Sequence, residues 1–198
     1  MKTKFSFFAL ISRMKNITRW SLMRNSTSEN IQEHSHMVAV IAHALAVIRR
    51  DVYSKPADPG LAASLALFHD SPEIFTGDMP TPIKYYDTEI MEAYKKVENV
   101  ACRKLLTALP AELRPTYKKI LSPSEDDEML ELVKAADKIT AYIKCVEELN
   151  TGNLEFHHAA KQSKEKILKM NIPEVTYFFE TFIPAFELTL DELDFSFD

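Results

Sequence analysis

Three separate parts of the sequence carry side chains that could hold a metal ion. His34 lies on the apolar face of one helical pattern, and Asp137 lies at the edge of another. Between them, His69 and Asp70 end a short stretch rich in alanine and leucine. An unpaired buried carboxylate is costly, so these aspartates need a partner. One divalent ion bound by two imidazoles and two carboxylates would provide it, and this donor set suits Mn, Co, Fe, Ni or Zn rather than an all-oxygen magnesium site.

Each of these residues also has an ordinary structural explanation. A single histidine on a buried helix face is usually a hydrogen-bonded core residue, and a single buried aspartate is often one half of an ion pair. Four such residues on three helices are harder to explain in this way, but motif matches are hypotheses. Spacing alone therefore leaves a metal site and ordinary core packing as two open interpretations.

The elements that must position these residues are predicted to be helices, because apolar residues recur at helical spacing and no alternating strand pattern is visible. Near the amino terminus, Phe5, Phe8 and Ala9 share one face of a predicted amphipathic helix. Prolines and a glycine cluster between residues 71 and 82, which predicts a structured loop. The remaining predicted helices cover residues 30–50, 60–68, 87–107, 110–121, 124–149 (with Ser124 as N-cap), 154–170 and 173–186. The predicted fold class is all-α.

Length and composition predict one globular domain over residues 1–198, since 46% of the 198 residues are hydrophobic and 27% are charged. The formal net charge of −5 argues against a nucleic acid polymer as partner. Cys102 and Cys145 are far apart, as expected for free thiols in a reducing compartment. No apolar run of roughly 18 residues and no small-x-small cleavage site is visible, so we expect a soluble cytoplasmic protein without a membrane span.

The motifs together resemble those of the HD-domain metal-dependent phosphohydrolases, and within them the bacterial 5′-deoxynucleotidase family. The resemblance extends from the first helix to at least Glu192. It is carried by the segments Arg19-Trp20, Met23-Arg24, Glu33-His34-Ser35, His69-Asp70-Ser71-Pro72-Glu73, Thr76-Gly77-Asp78-Met79-Pro80-Thr81-Pro82 and Val133-Lys134-Ala135-Ala136-Asp137. The pair Arg19-Trp20 and the loop TGDMPTP are the most specific of these. The resemblance implies a single HD-domain helical bundle.

The resemblance also implies a function and a set of site residues. It implies hydrolysis of deoxyribonucleoside 5′-monophosphates by a homodimer that uses one divalent transition metal ion, such as Co or Mn. Its implied metal ligands are His34, His69, Asp70 and Asp137, of which His34, Asp70 and Asp137 would also touch substrate. Glu73 is the implied catalytic carboxylate, and Arg19 would orient the phosphate. The implied nucleoside contacts are Trp20, Asp78, Met79, Pro80 and Thr81. No histidine lies between Asp70 and His157, which favours one metal ion over two.

The residues themselves leave other interpretations open. Glu73 could be a solvated acid at a helix start, because Pro72 and Glu73 form a typical first-turn pair. Pro72 departs from the family pattern and could displace Glu73. Arg19 could form a surface ion pair, Trp20 could pack in the core, and Asp78 could be a turn residue. Two other functions also remain: an HD hydrolase of nucleoside triphosphates or alarmones, and an HD module that binds a nucleotide without catalysis.

Overall fold

The computed structural model describes residues 4–84, 86–124 and 127–193, without the side chain of Thr81. These ranges contain helices and loops and no β-strand, as predicted. The α-helices are α1 (Phe7–Ile11), α2 (Ile31–Val47), α3 (Pro59–Phe68), α4 (Glu73–Thr76), α5 (Thr81–Lys84), α6 (Thr88–Thr107), α7 (Arg114–Leu121), α8 (Glu128–Asn150), α9 (His157–Leu168) and α10 (Pro173–Thr181). An isolated antiparallel bridge between Thr18 and Asn30 joins the two ends of the loop that precedes α2.

The main core lies where α2, α3 and α8 pack together. Small side chains such as Ala42, Ala66 and Ala136 are fully buried there, and they allow the three helices to approach closely. These helices position the four predicted metal ligands: His34 lies on α2, Asp137 lies on α8, and His69 and Asp70 directly follow α3. The helical pattern of buried residues in α2 follows the predicted apolar face, with His34 among them.

The amino-terminal helix buries a different residue from those predicted. Phe7 is 1% exposed, whereas Phe5 and Phe8 are 51% and 61% exposed. The prediction was wrong because α1 is only five residues long and Phe5 precedes it. Phe7 packs instead against the rings of Phe68 and Tyr117, at centroid distances of 6.2 and 4.9 Å. It belongs to a second, smaller core beside the one that holds the site.

Helix α8 begins later than predicted. Asp127 is its N-cap, because the Asp127 carboxylate accepts a hydrogen bond from the backbone N–H of Met129 at 2.9 Å. Ser124 is therefore not the cap, and residues 125 and 126 lie outside the described residues. Gly152 lies just beyond the end of this helix with φ of 85°, a conformation that glycine adopts without strain.

Other element boundaries also differ from the predictions. The predicted loop over residues 71–82 contains the one-turn helix α4 and the start of α5. The two predicted carboxy-terminal helices each include a 3₁₀ segment, Leu154–Phe156 before α9 and Ile183–Glu187 after α10.

By length and composition alone, the segment Ile31–Val52, which comprises α2 and a π-helical turn, is long and apolar enough to cross a membrane. The sequence prediction did not include such a segment. Of the most apolar 18-residue stretch in this segment, 56% is buried inside the protein. Core helices of globular proteins are often equally long and apolar.

Candidate active site and metal centre

Helix α2 brings His34 to the centre of the protein. Asn30 caps the helix by accepting the N–H of Glu33, and the Glu33 side chain accepts the N–H of Asn30 in return. His34 lies in the first turn, where its side chain is fully buried. Its Nε2 atom lies 3.1 Å from Oδ1 of Asp137 and 3.6 Å from Oδ2 of Asp70. The cap therefore fixes the start of the helix that presents this imidazole.

The end of α3 provides the second imidazole and a carboxylate. His69 is the C-cap residue, and its Nδ1 lies 2.7 Å from the carbonyl oxygen of Ala66. A carbonyl can only accept, so Nδ1 carries the proton and Nε2 is left for another ligand. Nε2 of His69 is buried without a hydrogen-bonding partner and lies 3.1 Å from Oδ2 of Asp70.

This arrangement fits a metal ion. In a neutral His69 ring, the lone pair of Nε2 would face a carboxylate oxygen, and two acceptors at this distance repel each other unless a cation or a proton lies between them. One donor atom from each of His34, His69 and Asp70 lies within 4.8 Å of the others, close enough to surround one ion. Two imidazole nitrogens with carboxylate oxygens suit a borderline divalent metal.

The charges of the cluster support the same conclusion. Burial raises the pKa of Asp70, but the charge of His69 outweighs burial and holds that pKa well below its usual range. Burial likewise opposes ionisation of Asp137, but its bond to His34 lowers the pKa to about 2. Burial lowers the pKa of His69, yet the adjacent Asp70 raises it to about 9. The two carboxylates therefore stay negative. A proton on His69 balances part of this charge, and a bound metal cation would displace that proton.

Asp137 is the least enclosed of the four predicted ligands. It lies on α8, its side chain is 42% exposed, and it reaches the cluster through its 3.1 Å contact with His34. The structure thus brings His34, His69 and Asp70 together around one point and places Asp137 at the edge of that group.

Arg19 lies beside the cluster. Its Nη1 atom is 3.5 Å from Oδ2 of Asp70, and its Nε donates to Oε2 of Glu29 at 3.0 Å. The side chain is 12% exposed, so Arg19 is not a solvated surface ion pair. Burial lowers the pKa of Arg19, but Asp70 and the neighbouring acids raise it by more, so the pKa of Arg19 is above its usual value.

Trp20 adopts an uncommon backbone conformation next to Arg19. Its φ is 56°, in the left-handed region, which costs free energy for a side chain of this size. The indole Nε1 donates to Oε2 of Glu29 at 3.2 Å, and the ring packs at 5.4 Å from the ring of Phe156. The Trp20 backbone N–H also lies near the Asp78 carboxylate and favours its charged form. Trp20 therefore lies between the core and the predicted site residues.

Glu73 is buried although Pro72 precedes it. Pro72 takes the N-cap position and Glu73 the first position of α4, one position earlier than the first-turn pair that the sequence predicts. Only 6% of Glu73 is exposed, so it is not a solvated helix-start acid. Burial, with repulsion from Asp70 and Asp78, raises its pKa to about 9. Its Oε2 is buried without a hydrogen-bonding partner.

The loop after α4 carries the residues predicted to contact the nucleoside. Asp78 is half-buried, and burial raises its pKa although Arg19 and the nearby Trp20 N–H favour its charged form. Met79 and Pro80 are also half-buried in this loop. Thr81 begins α5, and its side chain lies outside the described part of the structure.

Sequence reasoning missed Glu29. It sits in the polar segment before α2, where neither periodicity nor the quoted motifs single it out. Only the hydrogen bonds to Arg19 and Trp20 identify it. An acidic residue directly before a helix cap was the sole available signal, and that signal is common at helix starts.

Solved structures of HD-domain phosphohydrolases share this helical fold. One from Listeria innocua aligns with a TM-score of 0.80 at 24% identity, covering 91% of this chain and 88% of that chain. The cyanophage S-2L HD phosphohydrolase DatZ, solved bound to dA and one catalytic Zn²⁺ ion, aligns with a TM-score of 0.66 at 21% identity, covering 92% and 99%. The fold is therefore that of the HD-domain phosphohydrolases.

Closer relatives define the family. A family profile described as 5′-deoxynucleotidase YfbR-like matches residues 6–186. A 5′-deoxynucleotidase of Vibrio cholerae is 49% identical over 94% of this chain and 97% of its own length. A second, from Photorhabdus temperata, is 46% identical over 94% and 95%. The chain belongs to the YfbR-like 5′-deoxynucleotidase family. The predicted family, all-α fold and enzyme class, a phosphoric monoester hydrolase, are confirmed.

Proposed function

We propose that this protein hydrolyses deoxyribonucleoside 5′-monophosphates to deoxyribonucleoside and phosphate and discriminates against ribonucleotides. The observation that carries the proposal is the position of Arg19 Nη1, 3.5 Å from Asp70 within the His34–His69–Asp70 cluster. A cation-binding cluster beside a fixed guanidinium suits a phosphomonoester dianion. Curated relatives named for this activity support the assignment.

The cluster and Arg19 would bind the phosphoryl group together. His34, His69, Asp70 and Asp137 would hold one divalent ion, Co or Mn in this proposal, which supplies a Lewis acid for a phosphoryl oxygen. The planar fork of Arg19 binds further phosphoryl oxygens and offsets the negative charge that develops on them. Arg24 pairs with Glu155 in an exposed position, so Arg19 is the cation that serves a single phosphate.

Glu73 would move the proton. With a pKa of about 9, Glu73 carries a proton at neutral pH. It relays protons by giving this one to the departing 5′-oxygen, which leaves as the deoxyribonucleoside hydroxyl, and by taking one from the water that attacks phosphorus. The buried position of Glu73 keeps bulk water from competing for that proton.

Trp20 and the following loop would select the sugar. The flat indole would lie beside C2′ of the sugar and leave no room for a hydroxyl group there. Asp78, Met79, Pro80 and Thr81 would hold the nucleoside from the other side. The proximity of the Trp20 N–H to the Asp78 carboxylate supports a shared role for the two segments.

A phosphate-release panel tests the proposal. The common deoxyribonucleoside monophosphates and their ribose counterparts are each incubated with Mn²⁺, Co²⁺ and Mg²⁺, and we expect release from the deoxy forms with Mn²⁺ or Co²⁺. Glu73→Ala should abolish turnover and retain nucleotide binding. Faster release from a triphosphate would favour the triphosphate or alarmone hydrolase, and binding without release under any metal would favour the non-catalytic module.

We also propose that the chain forms a single domain over residues 1–198 and acts as a homodimer in the cytoplasm, without a membrane or a nucleic acid polymer as partner. These proposals rest on the family resemblance and on the composition. Light scattering after size-exclusion chromatography should give twice the chain mass of 22.7 kDa. A monomer peak at working concentration would contradict the dimer.

A further inference from the structure

One carboxylate oxygen joins the two residues proposed to bind phosphate and sugar. Oε2 of Glu29 accepts hydrogen bonds from Nε of Arg19 at 3.0 Å and from Nε1 of Trp20 at 3.2 Å. The backbone carbonyl of Glu29 also accepts the N–H of Arg19 at 2.9 Å. The Glu29 side chain is 15% exposed, so these bonds are partly shielded from water. Charge-assisted bonds of this kind are stronger than neutral ones.

We propose that Glu29 is a positioning residue that holds the Arg19 guanidinium and the Trp20 indole as one unit. It thereby couples the orientation of the phosphate to the discrimination between deoxyribose and ribose. This inference rests on the proposed function, in which Arg19 binds the phosphate and Trp20 borders the sugar.

The bonds around Arg19 determine which part of its guanidinium can meet a substrate. Glu29 holds Nε and Asp70 lies against Nη1, so the plane of the group is fixed at two points. Among the described residues, Nη2 of Arg19 has no hydrogen-bond acceptor. A phosphoryl oxygen can therefore take that position without breaking the bond to Glu29.

The same oxygen stabilises an unfavourable backbone conformation. Trp20 lies in the left-handed region at φ 56°, and such residues persist where surrounding contacts hold them. The Glu29 bond to the indole and the packing of that ring on Phe156 are two such contacts. Without Glu29, the indole loses its only polar contact in the described structure and is free to move away from the sugar side.

The test compares Glu29→Gln and Glu29→Ala with Glu33→Gln. Glutamine keeps an accepting oxygen but removes the charge, and alanine removes both. Glu33→Gln is a matched control, because it removes an acidic charge four residues away and glutamine still serves in the capping box. Thermal melts confirm that each variant is folded.

The first readout needs no catalysis, because Trp20 is the only tryptophan. We expect the emission of both Glu29 variants to shift to longer wavelength, and acrylamide to quench it more strongly than in the wild type or Glu33→Gln. Emission and quenching identical to those of the wild type in Glu29→Ala would overturn the inference, since the indole would then not depend on Glu29.

The second readout is the ratio of kcat/KM for dAMP to that for AMP with the Mn²⁺-loaded protein. We expect Glu29→Gln to lower kcat/KM for dAMP by about 10- to 100-fold, as loss of a supporting hydrogen-bond partner commonly does. AMP should lose less, so the deoxy preference falls. An unchanged ratio in Glu29→Gln and Glu29→Ala would refute the coupling. If the wild type releases phosphate from neither nucleotide, the proposed function fails, and the fluorescence still decides whether Glu29 holds Trp20.

Discussion

A buried ion pair on helix α8 holds the loop before α2 by hydrogen bonds, and its removal should lower the free energy of unfolding of the protein. The Glu148 carboxylate accepts hydrogen bonds from Lys144 Nζ at 2.5 Å, from the N–H groups of Ser26 and Thr27 at 2.7 and 3.1 Å, and from Asn153 Nδ2 at 2.7 Å. Lys144 also donates to the carbonyl of Thr27 at 2.6 Å. The perturbation is Glu148→Gln, which keeps the shape of the side chain and removes its charge.

The expected loss follows from burial. The Lys144 and Glu148 side chains are 5% and 1% exposed, so the variant leaves an ammonium group without its counter-charge in the interior. Breaking a buried pair in this way costs about 3–5 kcal/mol of unfolding free energy. For a chain of this size, about 2–4 °C of melting temperature is lost per kcal/mol, so a decrease of about 6–20 °C is expected.

Urea denaturation at two pH values is the assay. Burial raises the pKa of Glu148, but the hydrogen bonds from Lys144 and from the Ser26 backbone lower it by more. The pKa of Glu148 is therefore below its usual range. The stabilisation is therefore complete above the unfolded pKa of about 4.3 and is lost as the pH falls towards the folded pKa. The difference between wild type and Glu148→Gln should be large at neutral pH and shrink in acid.

The neighbouring variant Glu147→Gln is the control, because Glu147 is exposed and should change stability by less than about 0.5 kcal/mol. Equal losses in Glu147→Gln and Glu148→Gln, or a loss in Glu148→Gln that does not depend on pH, would refute the reasoning.

Three further predictions concern the second core, a helix cap and the metal centre. Phe7→Ala should cost about 3–5 kcal/mol in chemical denaturation, and Phe8→Ala less than about 1 kcal/mol; the reverse order would contradict the packing of α1. Asp127→Ala should cost about 1 kcal/mol and Asp127→Asn almost nothing, and equal losses would exclude Asp127 as the cap of α8. Mn²⁺ at about 100 times its dissociation constant should add about 2.7 kcal/mol of stability to the wild type and much less to His69→Ala, measured by thermal melting; an equal gain would place the ion elsewhere.

Periodicity was sufficient to predict the helices that carry the metal-ligand candidates. His34 shares a face with residues that are fully buried, so its burial follows from the helical repeat. The ends of elements were predicted less well, because several side chains compete for one cap. Ser124 and Asp127 are both good N-cap residues, and only the three-dimensional path of the chain selects Asp127.

Contacts between distant segments had no sequence signal. Glu29 contacts Arg19 and Trp20 because an isolated bridge brings residues 18 and 30 together across a loop. Likewise, Lys144 and Glu148 have a helical i,i+4 spacing that is typical of a solvated surface pair. Their burial comes from the loop that folds over them, and a pattern along one helix cannot show that loop.

The most direct test of the account is a crystal structure of the Mn²⁺-loaded protein with anomalous scattering recorded at the manganese edge. We predict one strong anomalous peak about 2.0–2.3 Å from Nε2 of His34, Nε2 of His69 and an oxygen of Asp70, with Asp137 completing the ligand set. A peak outside this cluster, or none in crystals of protein shown to contain manganese, would contradict the metal site on which the proposed hydrolysis depends.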